Sequence, residues 1–383
     1  MRNFKIYISV IILLFINFLF FFKYSSRYLE FGIYISIILL LLQFFVFQIK
    51  QRIDLSKKIQ KNLGYSFIGF IIVLVVVSHF AVPLESLKVD RWSVISSFLQ
   101  ELSDGNYPYF AKSHRGNYPG PMPIYFLIAS PFYYLGELSI LSILGYLFVC
   151  VFLIKNIKKN KNTEFLFFYL FTSAFLIWEI LTRSNLFTFT ILIIVVLNEF
   201  INISSKKSLR FYSLAFLAGL LLSTRSIYVL PYIVFFLSSL IKREITFKEL
   251  FLFGLIAVTA FISTFIPFIH FFNDDFFVMN PFIIQSSFLI PKFYIIIFII
   301  ITLFLTFLVK NKADRFFYSG ISLFTAISIY AFYQLIHSGY KESFINGVID
   351  ISYFIFCVPF LIKYLLDVDH KIVFSKNLQL PKN

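Results

Sequence analysis

LESLKVDRWSVISSFLQELSDGNYPYFAKSHRGNYPGPMPIY, residues 84–125, is a polar island in a chain that is otherwise almost continuously apolar. It carries Asp90, Arg91, Trp92, Asp104, Lys112, His114 and Arg115, then runs into a Gly/Pro-rich segment, 116–123, that a regular helix cannot contain. The chain of 383 residues is 59% hydrophobic and 14% charged, with a mean hydropathy of +0.85, and its apolar runs repeatedly reach membrane-spanning length. These features predict an all-α polytopic transmembrane bundle, a single domain in which chemistry is concentrated in the island.

Working outward from the island, about twelve spans are expected, at 4–22, 31–49, 65–83, 138–154, 164–181, 186–202, 210–224, 227–241, 250–269, 293–309, 315–336 and 348–366. The first is followed by Lys23, Tyr24 and Ser25 without a small-residue cleavage site, so it reads as an anchor and not a signal peptide. Placing the N-terminus inside puts 24 Lys/Arg and 8 Asp/Glu at inner ends and loops, against 10 and 11 at outer ones. That asymmetry predicts cytoplasmic N- and C-termini and an outer, extracytoplasmic island. A net charge of +15 is thereby explained by membrane orientation, and no nucleic-acid partner is expected. Cys150 and Cys357 both fall in apolar runs and suggest neither a disulfide framework nor a metal cluster.

Two segments break the simple hairpin pattern. Pro121 to Leu135 is apolar but too short to cross and holds Pro131, which predicts a re-entrant or interfacial helix walling an outer cavity. Residues 210–241 must go out and return in about 32 residues, so Arg225 at their turn should lie below the membrane surface. The tripeptide Thr-Arg-Ser occurs at both 182–184 and 224–226, each time at a predicted outer turn.

A membrane-embedded arginine needs a partner or a wet cavity. Arg183 either pairs with Glu179 at i, i+4 or holds an anion, whereas Arg225 has no acid within a helical turn and suits a lipid phosphate. Asp90, a few residues past the third span, is the candidate general base. Trp92 beside it can stack on a sugar or anchor at the interface. Asp104 heads an Asp-Gly-Asn turn, and as a second carboxylate it would help hold a divalent cation. Beyond that possibility no cofactor is indicated. His114 has no His or Cys at metal spacing, and no P-loop, GxSxG, HExxH or dinucleotide fingerprint is present.

An acid just beyond a span, a segment ending in Gly-Asn-Tyr at 105–107, and then GNYPGPMPIYFLIASPFYYLGE at 116–137 resemble the first outer loop of the GT-C superfamily of membrane glycosyltransferases. That superfamily includes protein mannosyltransferases and the lipid A aminoarabinose transferase. The motif likeness spans 89–137. The chain departs from the family in having Asp90-Arg91 for Asp-Glu and in carrying two spans, within 1–64, ahead of a GT-C-like module at 65–383. The resemblance implies inverting transfer of a sugar from a polyprenyl-phosphate carrier to a glycan, lipid or protein acceptor on the outer face of a bacterial inner or plasma membrane. It implies Asp90 as catalytic base, with Arg91, Trp92, Tyr118, Tyr125, Glu179, Arg183 and Arg225 binding substrate. A polysaccharide polymerase or ligase would place its large loop late in the chain, and a lipid-linked glycan flippase would show polar midplane helices and two similar halves.

Overall fold

The computed structural model describes residues 2–26, 29–49, 56–155, 162–203, 208–288, 290–345 and 349–368. Every regular element among the described residues is helical. In chain order the α-helices are α1 (Arg2–Ser25), α2 (Gly32–Ile49), α3 (Lys57–Ala81), α4 (Arg91–Ser103), α5 (Pro123–Tyr134) and α6 (Ser139–Lys155). They continue with α7 (Asn162–Phe171), α8 (Ala174–Thr182), α9 (Leu186–Asn202), α10 (Leu209–Leu222), α11 (Val229–Ile241) and α12 (Phe247–Ser263). The last are α13 (Ile266–Phe271), α14 (Asn273–Val278), α15 (Pro281–Phe288), α16 (Phe293–Phe307), α17 (Lys312–Tyr340) and α18 (Val358–Asp367).

Five helical stretches are long and apolar enough to cross a membrane, or up to seven if each of two bent pairs is one span. Four more apolar helices, including α9, α10 and α16, have only 10–17 residues. At 1.5 Å per residue these reach about 15–26 Å, short of a hydrocarbon core of about 30 Å. The helices begin where the sequence supplies caps. The Thr246 hydroxyl accepts from the Glu249 N–H while the Glu249 carboxylate accepts from the Thr246 N–H, and Asn311 Oδ1 accepts from the Asp314 N–H at 2.9 Å.

The short apolar helix expected between Pro121 and Leu135 is α5, and it meets α6 at 107°. The corner is made by Gly136, whose φ of +83° a side chain would strain, followed by Glu137, which accepts from the Ser139 N–H at 2.9 Å. A similar break at Thr172–Ser173 bends α7 from α8 by 48°. There α1 fills the gap, because Asn17 donates to the Thr172 carbonyl at 2.9 Å and accepts from the Ala174 N–H at 2.7 Å. α1 therefore lies inside the core, packed on α8 and α18. α10 and α12 approach closely at Gly219, where a Cβ would overlap the Ala257 carbonyl.

Charge separates along the bundle. Lys5–Asp314, Arg315–Glu244, Arg210–Glu199 and Lys363–Asp367 join groups that the sequence assigns to inner ends. Arg91–Asp350, Arg183–Glu137 and His79–Glu137 join groups assigned to outer ends. None of these pairs mixes the two. Lys5 and Lys23 lie on the one helix α1, about 27 Å apart by helical rise, and Lys23 donates to the Ile349 carbonyl at 2.7 Å, next to Asp350. The island thus folds at the opposite end of the bundle from the Lys5–Asp314 pair.

Candidate functional site

The island is a packed layer with its own apolar cluster. Phe98, Tyr109 and Phe126 pack with Phe265, Phe268, Phe276 and Ile284, which joins α4 and α5 to the segment 265–284. Backbone bonds fasten it to the second Thr-Arg-Ser turn, since the Met122 and Ile124 N–H groups donate to the Thr224 and Ser223 carbonyls at 3.2 and 3.0 Å. Gln285 adds a clamp, donating to the Gly120 carbonyl at 2.7 Å and accepting from Ser226.

Asp90 sits at the N-terminal boundary of α4, half-buried, with no capping bond to its own helix. The tight turn 113–117, closed by Gly116 at φ +78°, reaches over it. The Ser113 hydroxyl and Asn117 amide both donate to Asp90 Oδ2, at 2.8 and 2.7 Å, and among the described residues none donates to Oδ1. Those donors fix the carboxylate's orientation. Trp92 donates its indole N–H to the Leu84 carbonyl at 3.1 Å, and His114 stacks on it at 5.4 Å, so one indole face is already covered. Tyr118 packs at the edge of the island cluster with Lys112 over its ring.

Arg91 ion-pairs with Asp350 and also donates to Ser352 Oγ at 2.8 Å. Burial works against this guanidinium, but Asp350, Tyr353 and Asp90 around it outweigh burial and hold its pKa above the ordinary arginine value. The reason Asp350 is available is a 3₁₀ helix, Ile351–Cys357, that Asp350 caps by accepting from the Ser352 N–H at 3.0 Å. Three residues per turn eclipse i and i+3. Tyr353 and Phe356 accordingly stack at 6.0 Å with only 9° between their rings. Arg91 lies 5.5 Å over Tyr353 and Arg225 lies 5.9 Å over Phe356, so the pair bridges the two cations.

Arg225 also lies 5.4 Å over Tyr125, whose hydroxyl donates to Asn185 Oδ1 at 2.7 Å and whose ring stacks on Phe189. No carboxylate among the described residues pairs with Arg225, and its buried Nε has no hydrogen-bond partner. The fully buried Asn185 amide nitrogen is likewise unpartnered. Two buried donors without a hydrogen-bond partner thus neighbour the Tyr125 side chain.

Arg183 is different. Its guanidinium donates to the Leu181 and Ser78 carbonyls at 2.7 and 2.8 Å, and Nε lies 3.3 Å from Glu137. The expected i, i+4 pairing with Glu179 is absent, because Arg183 adopts φ +56° and turns back along α8. Glu179 instead accepts from the Tyr146 and Ser184 hydroxyls and from the Leu186 and Phe187 N–H groups, which pins the start of α9. At 2% exposure, with two donors on backbone carbonyls and Nε ion-paired with Glu137 without a hydrogen bond, Arg183 is enclosed by the chain, whereas Arg225 is half-buried. Asp104 is an exposed turn residue at the far end of the 13-residue α4, about 20 Å from Asp90 by helical rise, so the two carboxylates do not share a cation. Among the described residues no group of three His, Cys, Asp or Glu is placed to hold a metal.

Asp350 was one of several outer polar residues in the sequence, and Asn185, Tyr353 and Phe356 carried no mark beyond their apolar surroundings. Compared with protein-family models, curated proteins and solved structures, the chain matches none.

Proposed function

We propose that this protein transfers a sugar from a polyprenyl-phosphate carrier to an acceptor at the outer face of a bacterial inner or plasma membrane. In this reading the twelve apolar segments all cross, the short ones within a locally thinned bilayer, and both termini are cytoplasmic. The observation that carries the proposal is the pair of orphan donors, Arg225 Nε and the Asn185 amide, under a folded layer that holds an oriented carboxylate, Asp90. The acceptor hydroxyl attacks the anomeric carbon, its proton passes to Asp90 Oδ1, and the bond to the phosphate oxygen breaks with its electron pair leaving on the phosphate. Inversion follows from a single displacement. A phosphate leaving group is a weak base, so it needs a cation more than a general acid. One uncommitted guanidinium matches the single negative charge of a sugar phosphodiester better than a diphosphate, which favours this donor over the one a ligase or polymerase uses.

Mass spectrometry of lipids extracted from the purified protein tests the donor. A glycosyl polyprenyl monophosphate is expected, and a diphosphate-linked oligosaccharide would replace transferase by ligase. With that lipid as donor, Asp90→Asn should lower turnover about 10²- to 10⁴-fold, the range of one positioned base, while Asp104→Asn stays near wild type. Loss of turnover in Asp104→Asn with Asp90→Asn active would move the base to the other end of α4.

A further inference from the structure

At the end of the bundle opposite the island, a cavity of about 360 Å³ opens between the start of α1, the turn joining α16 to α17 and the end of α18. Three cations line it, Arg2, Lys5 and Lys310, together with two carboxylates, Asp314 and Asp367. Both carboxylates are already neutralised. Asp314 accepts from the Lys5 ammonium at 2.7 Å and the Lys310 N–H at 2.9 Å, and Asp367 takes the Lys363 ammonium at 2.5 Å on each oxygen. Lys5 is consumed by its pair and roofed by the Tyr318 ring at 4.5 Å. Arg2 and Lys310 remain, exposed and without a carboxylate partner among the described residues.

Two unpaired cations at the mouth of a cavity whose other charges are balanced leave it with a net positive field. The same end holds Lys242, whose pKa burial and then the Arg315 guanidinium lower, opposed by Glu244 and Asp314. The remaining wall is made by Asn311, Ala313, Tyr364 and Val368. Basic pockets between membrane helices on the positively flanked side take anionic headgroups. We propose that this cavity binds a phosphate group at the inner surface, supplied by the headgroup of an anionic phospholipid. The site is independent of the outer-face chemistry, and neither reading depends on the other.

The test uses the full-length protein in detergent and native mass spectrometry with phosphatidylglycerol or phosphatidylcholine micelles. Wild type should keep one phosphatidylglycerol in preference to phosphatidylcholine, and the double variant Arg2→Ala, Lys310→Ala should lose that retention by about tenfold or more, given the contribution of a single basic residue near an anionic surface. Melting of the lipid-free variant should match wild type, because both side chains are exposed. Lys310→Gln alone, expected to lose part of the retention, serves if the double variant does not fold. Equal retention of both lipids, or retention unchanged in the variants, overturns the lipid site. A thermal shift with millimolar inorganic phosphate that the variants lose, without phosphatidylglycerol preference, would assign the cavity to a free phosphate. No response to either probe removes the site.

Discussion

The two Thr-Arg-Ser tripeptides, 182–184 and 224–226, have the same residues and opposite fates. Arg183 caps α8 in the left-handed region at φ +56°, a conformation costing roughly 1–2 kcal/mol for an L residue, and its side chain folds back onto acceptors of its own helix, of α3 and of the α5–α6 corner. Arg225 is extended at φ −155°, and its side chain lies by the rings of Tyr125 and Phe356, with no carboxylate paired to it among the described residues. A buried arginine among acceptors is mortar. One among rings has an unpartnered Nε, which the proposed donor phosphate would engage.

The largest effect should come from the mortar. Arg183→Ala leaves the Ser78 and Leu181 carbonyls without this donor and the Glu137 carboxylate without its guanidinium, and breaking such a buried charged contact costs about 3–5 kcal/mol. Thermal denaturation in detergent should show a drop of several degrees or failure to accumulate folded protein. A variant that melts like wild type would put Arg183 back among the ligand-binding candidates. Arg225→Ala should do the reverse, melting near wild type while retention of the polyprenyl lipid falls about 10- to 100-fold, the value of one or two charge-assisted hydrogen bonds. Arg225→Lys should recover only part of it, since the planar fork is gone. Equal melting losses in Arg183→Ala and Arg225→Ala would erase the distinction between the two copies.

The same contrast marks what could be read before folding. Helix content, a polar layer at one end, the short α5 and the segregation of charge all follow from composition and local pattern, and the structure contains each of them. The span count did not follow as directly, because the hydropathy of α9, α10 and α16 is that of a span while their length is not. Arg225 was legible as an arginine without a nearby acid. What surrounds it was not, since Tyr353 and Phe356 meet the two arginines only because residues 351–357 wind as a 3₁₀ helix, and an α-helical reading would set those rings about 60° apart. The partner of Arg91 lies 259 residues away, beyond any pattern in the chain. The Glu179 pair, one of two readings open for Arg183, needed a helix running on through Arg183, where the backbone instead turns left-handed.

The smallest effect sharpens the comparison at the other end of the Arg183 contact. Glu137 at the α5–α6 corner accepts from the Ser139 N–H at 2.9 Å and His79 Nδ1 at 2.6 Å and ion-pairs with Arg183 Nε at 3.3 Å. Burial raises its pKa, but the Ser139 N–H, then His79 and Arg183, outweigh burial and hold the carboxyl below its ordinary 4.5. The folded state therefore binds fewer protons at this group than the unfolded state does. Its contribution is complete above pH 4.5 and is lost as pH falls below that value. With the side chain 13% exposed, the amount at stake is on the order of 1 kcal/mol or less. In a His79→Gln background, which leaves Glu137 as the titrating member of that contact, melting should decline more steeply from pH 5 to 3.5 than in the same background carrying Glu137→Gln. Parallel pH profiles would mean that Arg183 is held by the two backbone carbonyls alone. The first Thr-Arg-Ser copy would then be a helix cap with an incidental charge beside it, and the second copy would remain the only one whose function depends on its arginine's charge.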